Sequence, residues 1–283
     1  MSGAEMKKNV LVFGAGGQAG SEICKLFPDA LGIHHSSNSG SPHMELTDYV
    51  KLEDIILKTR PEVIVNAVAL TNVDLCETER HKALAINSEL VKHLVRAARV
   101  VNSYVVHIST DYVFDGFEGM YRENSVPNPI NYYGLSKLLG DWAALSYDDS
   151  LVVRTSGVFG YKGNYPRFVV NQLKEKKEVK AVKSFYSPIH AKLLAEAILD
   201  LIELRRTGIV NIAGQRVSRY DLAVEIAERM KIPDSGIHEL DQSSMTWAAK
   251  RPFDSSLDCS LAKRLIGDSF MDTGQNLDLL LKT

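Results

Sequence analysis

The chain has 283 residues, enough for one large domain or two modest ones and for a sizeable core. Its 33 Lys plus Arg stand against 35 Asp plus Glu, so there is no basic excess to neutralise a phosphate backbone; nucleic acid and an anionic membrane are set aside as main partners. With 45% hydrophobic and 24% charged residues, the composition is that of a folded globular protein rather than a disordered one.

From the N-terminal side, Met6-Lys7-Lys8 leads into only a few apolar residues before Gly14, too short a run for a signal peptide. Nowhere does the sequence hold the ~18 consecutive apolar residues of a membrane span. Cys24, Cys76 and Cys259 are far apart and in no CxxC-like spacing, so they read as reduced thiols and not as metal ligands. These features place the protein in the cytoplasm.

Val10–Phe13 is apolar and largely β-branched, as a buried parallel strand should be. It runs into Gly14-Ala15-Gly16-Gly17-Gln18-Ala19-Gly20, which opens a helix predicted over 18–27. A glycine-rich turn from strand to helix lets the backbone approach a pyrophosphate, and the helix start offers free N–H groups and the positive end of its dipole. The spacing of Gly14, Gly17 and Gly20 is GxxGxxG, and its place after the first strand marks a dinucleotide site. About 20 residues on, where an acid would read a free ribose 2′-hydroxyl, the chain has Ile33-His34-His35-Ser36-Ser37. With neither an acid nor an Arg there, NADP(H) is favoured over NAD(H), which stays open. The two histidines would point to opposite faces of a strand and do not form a metal pair.

Further strands are predicted over 62–69, 104–108 and 151–153, and helices over 81–100 and 133–147. Leu84, Leu90, Leu94 and Val95 form the inward stripe of the first of these helices. His107, inside an apolar strand, reads as a hydrogen-bonded core residue. Strand and helix in alternation imply right-handed βαβ units and a doubly wound parallel sheet, an α/β Rossmann domain over 1–156. Gly157, Gly160, Gly163 and Pro166 then mark a loop-rich crossing into a smaller C-terminal substrate-binding domain, 157–187 and 215–283, with 188–214 returning to the first domain. Helices are expected over 191–204 and 218–230 with a strand at 209–212. The stretch 174–177 reads as a solvated helix end, and 234–257 as a surface or lid-like loop.

Tyr133 and Lys137 are four residues apart on a predicted helix and so share one face. An ammonium beside a phenol stabilises the phenolate and would lower its pKa from near 10, equipping the Tyr to exchange a proton near neutrality. Ser109-Thr110-Asp111 ends the preceding strand, at the edge where doubly wound sheets place their ligands. A hydroxyl there, with Tyr133, can hold a carbonyl oxygen.

The string Ser109-Thr110-Asp111-Tyr112-Val113-Phe114-Asp115-Gly116, followed by Asn131-Tyr132-Tyr133-Gly134-Leu135-Ser136-Lys137, closely resembles extended short-chain dehydrogenase/reductases of the dTDP-4-dehydrorhamnose reductase type. Supporting matches are the glycine turn with Gln18, Asn66-Ala67-Val68-Ala69-Leu70-Thr71 with Asp74 and Glu77, Arg154-Thr155-Ser156, Arg251-Pro252, and Ser256-Leu257-Asp258, in order along nearly the whole chain. The resemblance implies hydride transfer to the C4 ketone of dTDP-4-dehydro-6-deoxy-L-mannose, a nucleotide-sugar substrate, giving dTDP-L-rhamnose for polysaccharide. It implies Tyr133 as proton donor, Lys137 on the nicotinamide ribose, and Thr110 on the reacting oxygen. Gly14, Gly17, Gln18 and Ala19 would serve the pyrophosphate, Glu45 and Leu46 the adenine, and Ala69, Leu70 and Thr71 the nicotinamide half. Asp111, Tyr112 and Arg251 would contact substrate, the last through a diphosphate.

One position departs from the family: Gly157 stands where its reductases carry a Trp that packs on the sugar. Either another aromatic such as Phe159, Tyr161 or Tyr165 substitutes, or the sugar differs. Two alternatives stay open, a reductase or epimerase of another nucleotide sugar and a non-catalytic NADP-binding regulatory subunit like the methionine adenosyltransferase beta subunit. No heptad fixes an oligomeric state, and a homodimer is compatible with the sequence.

Overall fold

The computed structural model describes residues 8–35 and 42–282. Ser36 and Ser37, on which part of the cofactor reading rests, and Met6 and Lys7 lie outside the described residues.

A six-stranded, wholly parallel sheet runs through the molecule. Its strands are β1 Val10–Phe13, β2 Leu31–Ile33, β3 Val63–Asn66, β4 Tyr104–Ile108, β5 Ser150–Arg154 and, after four short strands, β10 Gly208–Asn211. The short strands are β6 Val158–Phe159, β7 Val179–Val182, β8 Phe185–Tyr186 and β9 Ile189–His190; β11 Val217–Ser218 and β12 Ile237–Leu240 follow β10. The sheet order is β10-β5-β4-β3-β1-β2. The order reverses between β1 and β3, which opens a crevice at their carboxyl ends. Every residue of β1, β3 and β5 is buried, as a sheet covered on both faces requires.

The helices are α1 Gln18–Leu26, α2 Tyr49–Thr59, α3 Val73–Thr78, α4 Arg80–Leu84, α5 Leu90–Val101, α6 Tyr132–Leu145, α7 Tyr165–Lys174, α8 Ala191–Glu203, α9 Arg219–Met230, α10 Ser260–Ile266 and α11 Thr273–Lys282. One face of the sheet is covered by α1 and α8, whose Ile23, Leu194 and Ile198 join Val10, Val12 and Val65 in one cluster. The opposite face takes Leu52 and Ile56 of α2 and Leu90, Val91 and Leu94 of α5. A third cluster joins α7, α9 and α11 through Val169, Val170, Leu222, Ile226 and Leu277. Among the described residues no helix is long and apolar enough to cross a membrane.

Three differences from the predicted elements bear on the site. The strand expected to reach residue 69 stops at Asn66, and the chain leaves the sheet there. The helix expected over 81–100 is interrupted by a π-helical turn at Ala85–Glu89 that carries Asn87 fully inside. The region expected to be a loop at 234–257 contains β12, which pairs in parallel with β7.

Candidate active site

The carboxyl ends of β1, β3, β4 and β5 open onto one cavity of about 550 Å³, a size suited to small-molecule ligands. At β1, the Gly17 N–H donates to Gly14 O (2.9 Å) and α1 begins with no side-chain cap. The first-turn N–H groups of α1 are left for an anion. The turn tolerates no side chain at Gly20, where a Cβ would lie 2.2 Å from Gly14 O. A closely approaching backbone and uncapped N–H groups are the features a pyrophosphate needs, so the residues present fit a dinucleotide. Over the turn folds the loop after β6: Lys162 Nζ and Tyr161 Oη (3.2 Å) both donate to Gly16 O, and Gln18 Nε2 donates to Val158 O (3.2 Å).

Beyond β3, Ala67, Ala69 and Thr71 line the cavity, and the segment is held at Leu70 by Asn87. Its Oδ1 accepts from Leu70 N (2.8 Å), and its Nδ2 donates to Leu70 O (3.2 Å) and Ser136 Oγ (2.9 Å). Ala69 and Thr71 therefore face the cavity while Leu70 packs on the core.

Beyond β4, Thr110 caps a short 3-10 turn and α6 presents Tyr133 to it. Asn131 caps α6 by accepting from Gly134 N (2.8 Å), and Tyr132 N donates to Glu77 Oε2 (2.9 Å). A Cβ at Gly134 would come within 2.0 Å of Tyr112 O, so only glycine lets α6 lie this close to the Thr110 loop. The result is a buried Tyr133 whose hydroxyl comes near the Thr110 side chain. Tyr112 meets the Tyr133 ring edge-on at 5.9 Å.

One turn along α6, Lys137 is 1% exposed, and its Nζ donates to Ile108 O (2.8 Å). Beneath it lies a buried polar cluster. Asn66 Oδ1 accepts from Val68 N (3.1 Å), which makes Asn66 Nδ2 the donor to His107 Nδ1 (3.0 Å). His107 then carries its hydrogen on Nε2, 3.4 Å from Lys137 Nζ and 3.8 Å from Asp141 Oδ1. Burial, and the Lys137 charge after it, hold His107 far below the usual histidine range, and so neutral. Arg154 Nε pairs with Asp141 Oδ2 at 3.3 Å.

Burial lowers Lys137 to about 8, opposed by Asp141. Tyr133 moves the other way from the sequence expectation: burial pushes its phenol up, the Thr110 hydrogen bond draws it down, and the charge of Asp111 pushes it up again. The Lys137 ammonium is bonded to Ile108 O, and the influences on Tyr133 are burial, Thr110 and the Asp111 charge, in that order.

Of the residues singled out in the sequence, Gly17, Gln18, Ala19, Ala69, Thr71, Thr110, Asp111, Tyr112, Tyr133 and Lys137 border this one cavity. Gly14 braces the turn from below. Glu45 is exposed near the end of β2, its Oε2 4.0 Å from His35 Nδ1, and Leu46 packs against the core. The carboxylate of Asp111 accepts from Ser156 Oγ (2.6 Å), Ser255 Oγ (2.5 Å) and Thr110 Oγ1 (3.1 Å), so it ties three segments together. Arg251 lies apart, on a broader depression of about 980 Å³ beside Phe117 and Trp247, where its Nη2 pairs with Asp74 Oδ2 at 2.8 Å.

The sequence reading missed Asn87, Thr155, Lys162, Tyr186 and Arg219. The last four line the cavity. A Cβ at Gly157, whose φ is +45°, would meet Tyr186 Cε2 at 2.6 Å. Tyr186, rather than Phe159, Tyr161 or Tyr165, therefore fills the place beside Gly157. Its signal in sequence is faint, because it precedes Ser187-Pro188 in a stretch without periodicity.

Comparison with known proteins adds four findings. A family model described as RmlD substrate binding domain matches residues 6–283. A solved structure from Sulfolobus tokodaii, titled a hypothetical dTDP-4-dehydrorhamnose reductase, is 51% identical with a TM-score of 0.90 and covers 95% of this chain and 98% of its own. Another, a dTDP-4-dehydrorhamnose reductase from Bacillus anthracis in complex with NADP, is 25% identical with a TM-score of 0.90 and covers 98% and 100%. Methionine adenosyltransferase 2 subunit beta of Xenopus tropicalis is 27% identical over 91% of this chain and 82% of its own length.

Proposed function

Because the chain belongs to the RmlD substrate binding domain family, we propose that it is an NAD(P)H-dependent reductase of a nucleotide-linked 4-keto sugar. Its substrate in this reading is dTDP-4-dehydro-6-deoxy-L-mannose and its product dTDP-L-rhamnose. The observation that carries the reading is convergence: the glycine turn, Thr110, Tyr133 and Lys137 border one cavity. The solved relative with NADP bound supports the cofactor class, with NADP(H) ahead of NAD(H).

Bound, the nicotinamide cofactor supplies the hydride. Gly17, Gln18 and Ala19 hold its pyrophosphate, Ala69 and Thr71 line its nicotinamide half, and Lys137 serves the ribose. Hydride arrival leaves charge on the sugar's C4 oxygen. Thr110 Oγ1 holds that oxygen once its hydrogen turns to it from Asp111, and Tyr133 Oη gives it a proton; donors placed beside the developing charge stabilise it. A raised phenol pKa suits this direction of reaction, since Tyr133 must enter it protonated.

The test is absorbance loss of NADPH and NADH with the dTDP-linked keto sugar, for wild type and for Tyr133→Phe. Turnover by wild type that falls by ~10² or more in the variant is expected. The similarity to the adenosyltransferase subunit favours a second reading, a regulatory subunit that binds the cofactor. Cofactor binding without consumption in wild type would select it.

A further inference from the structure

One wall of the cavity follows the end of β5, three strands away from β1 in the sheet. It is built by Thr155, Gly157, Tyr186 and Arg219. Two hydroxyls on it, Tyr186 Oη and Thr155 Oγ1, are buried and have no hydrogen-bond partner within the protein. Buried hydroxyls are rarely left so, and two on one wall of the same cavity call for a ligand that is itself rich in hydroxyl groups.

Tyr186 is fixed on two sides. The edge of its ring fills the space a side chain at 157 would need. Arg219 lies over the ring at 4.4 Å and over that of Tyr165 at 5.0 Å, while its Nε donates to Ser184 Oγ (3.1 Å). A planar guanidinium between two phenol rings, tied at its Nε, holds the Tyr186 ring in one place.

We propose that Tyr186 and Thr155 form the hexose subsite of this cavity, their hydroxyls bonding hydroxyl groups of the sugar, with Arg219 as the positioning residue behind Tyr186. The inference rests on the nucleotide-sugar reading above and adds to it the residues that read the sugar. The hexose then lies between this wall and the Thr110–Tyr133 pair, and the nucleotide portion lies elsewhere.

The experiment uses Tyr186→Phe, Thr155→Val and Arg219→Lys, with dTDP-4-dehydro-6-deoxy-L-mannose as substrate. Each of the first two should raise KM by about three- to tenfold, the worth of one hydrogen bond, with kcat within twofold and the NADPH dissociation constant unchanged. Arg219→Lys keeps the charge and loses the planar stack, and should raise KM in the same way. Calorimetry adds a readout that a purely structural role would not move. The affinity advantage of dTDP-L-rhamnose over dTDP should shrink in Tyr186→Phe, whereas general loosening would weaken both alike. Unchanged KM in both hydroxyl variants, or equal loss for dTDP and dTDP-L-rhamnose, overturns the subsite while leaving the reductase standing. A wild type that binds NADPH and leaves the keto sugar unreduced overturns the reductase reading, and the subsite with it.

Discussion

Lys137 should set the alkaline limb of activity. Its ammonium has an ordinary pKa near 10.5 and is held at about 8, chiefly by burial. One unit below that value about 90% of Lys137 is charged, and one unit above it about 10% is. Tyr133, pushed up by burial, stays a protonated phenol across the same range. The loss of rate above pH 8 is therefore a loss of the Lys137 charge and not of the Tyr133 proton. In the assay, kcat/KM for the keto sugar with NADPH is followed from pH 6 to 10, and it should fall about tenfold per pH unit above 8. Lys137→Arg, which keeps its charge throughout, should be slower at pH 7 but lack the limb. Stability gives an independent check. A lysine whose folded pKa is depressed is charged at a cost, and that cost is present in full below the folded value. The unfolded chain binds the extra proton between pH 8 and 10.5, so stability should rise with pH across that window, by up to about 3 kcal/mol. A profile flat to pH 9.5 in wild type, or an identical limb in Lys137→Arg, would refute the reasoning.

Two further outcomes follow from close contacts. Gly20→Ala places a methyl 2.2 Å from Gly14 O, with backbone on both sides and nothing flexible to yield; the NADPH dissociation constant, read by fluorescence, should rise about tenfold or more. Asn87→Ala strands the Leu70 N–H and leaves Leu70 O with only the weak Cys76 Sγ donor; a loss of about 2 kcal/mol is expected. That loss should show as a Tm lowered by several degrees together with weaker NADPH binding, because Ala69 and Thr71 flank the released peptide.

The parts of the fold legible in the sequence were those with short-range causes. Val10–Phe13 followed by a glycine turn, and Tyr104–Ile108 followed by Ser109 and Thr110, announce themselves because a strand buried on both faces must be largely apolar, His107 being the one exception in the second. The π turn at Ala85–Glu89 was hidden. Leu84, Leu90, Leu94 and Val95 keep helical spacing across it, and what distinguishes it is Asn87 turning in to hold Leu70, a contact seventeen residues away. Tyr186 and Arg219 were hidden for the same reason. Tyr186 sits in a two-residue strand and Arg219 opens α9, and their meeting over Gly157 depends on β8 and α9 reaching the β5 edge from distant parts of the chain. Arg251 shows the converse: its motif was visible, yet the fold pairs it with Asp74 outside the cavity.

The pair Tyr133 and Lys137 carries the sharpest lesson. From spacing alone, an ammonium one helical turn from a phenol should lower the phenol's pKa. Spacing fixes the shared face of α6 but not what each head group meets. The carbonyl of Ile108 takes the ammonium, and burial acts on both groups at once, lowering the lysine and raising the tyrosine. In the proposed reaction the two shifts act together. A phenol that holds its proton is the right acid for an oxygen gaining charge, and a lysine still mostly charged at neutrality supplies a positive field beneath the site. Under that proposal the reverse reaction, in which Tyr133 would have to act as a base, is the harder direction near pH 7.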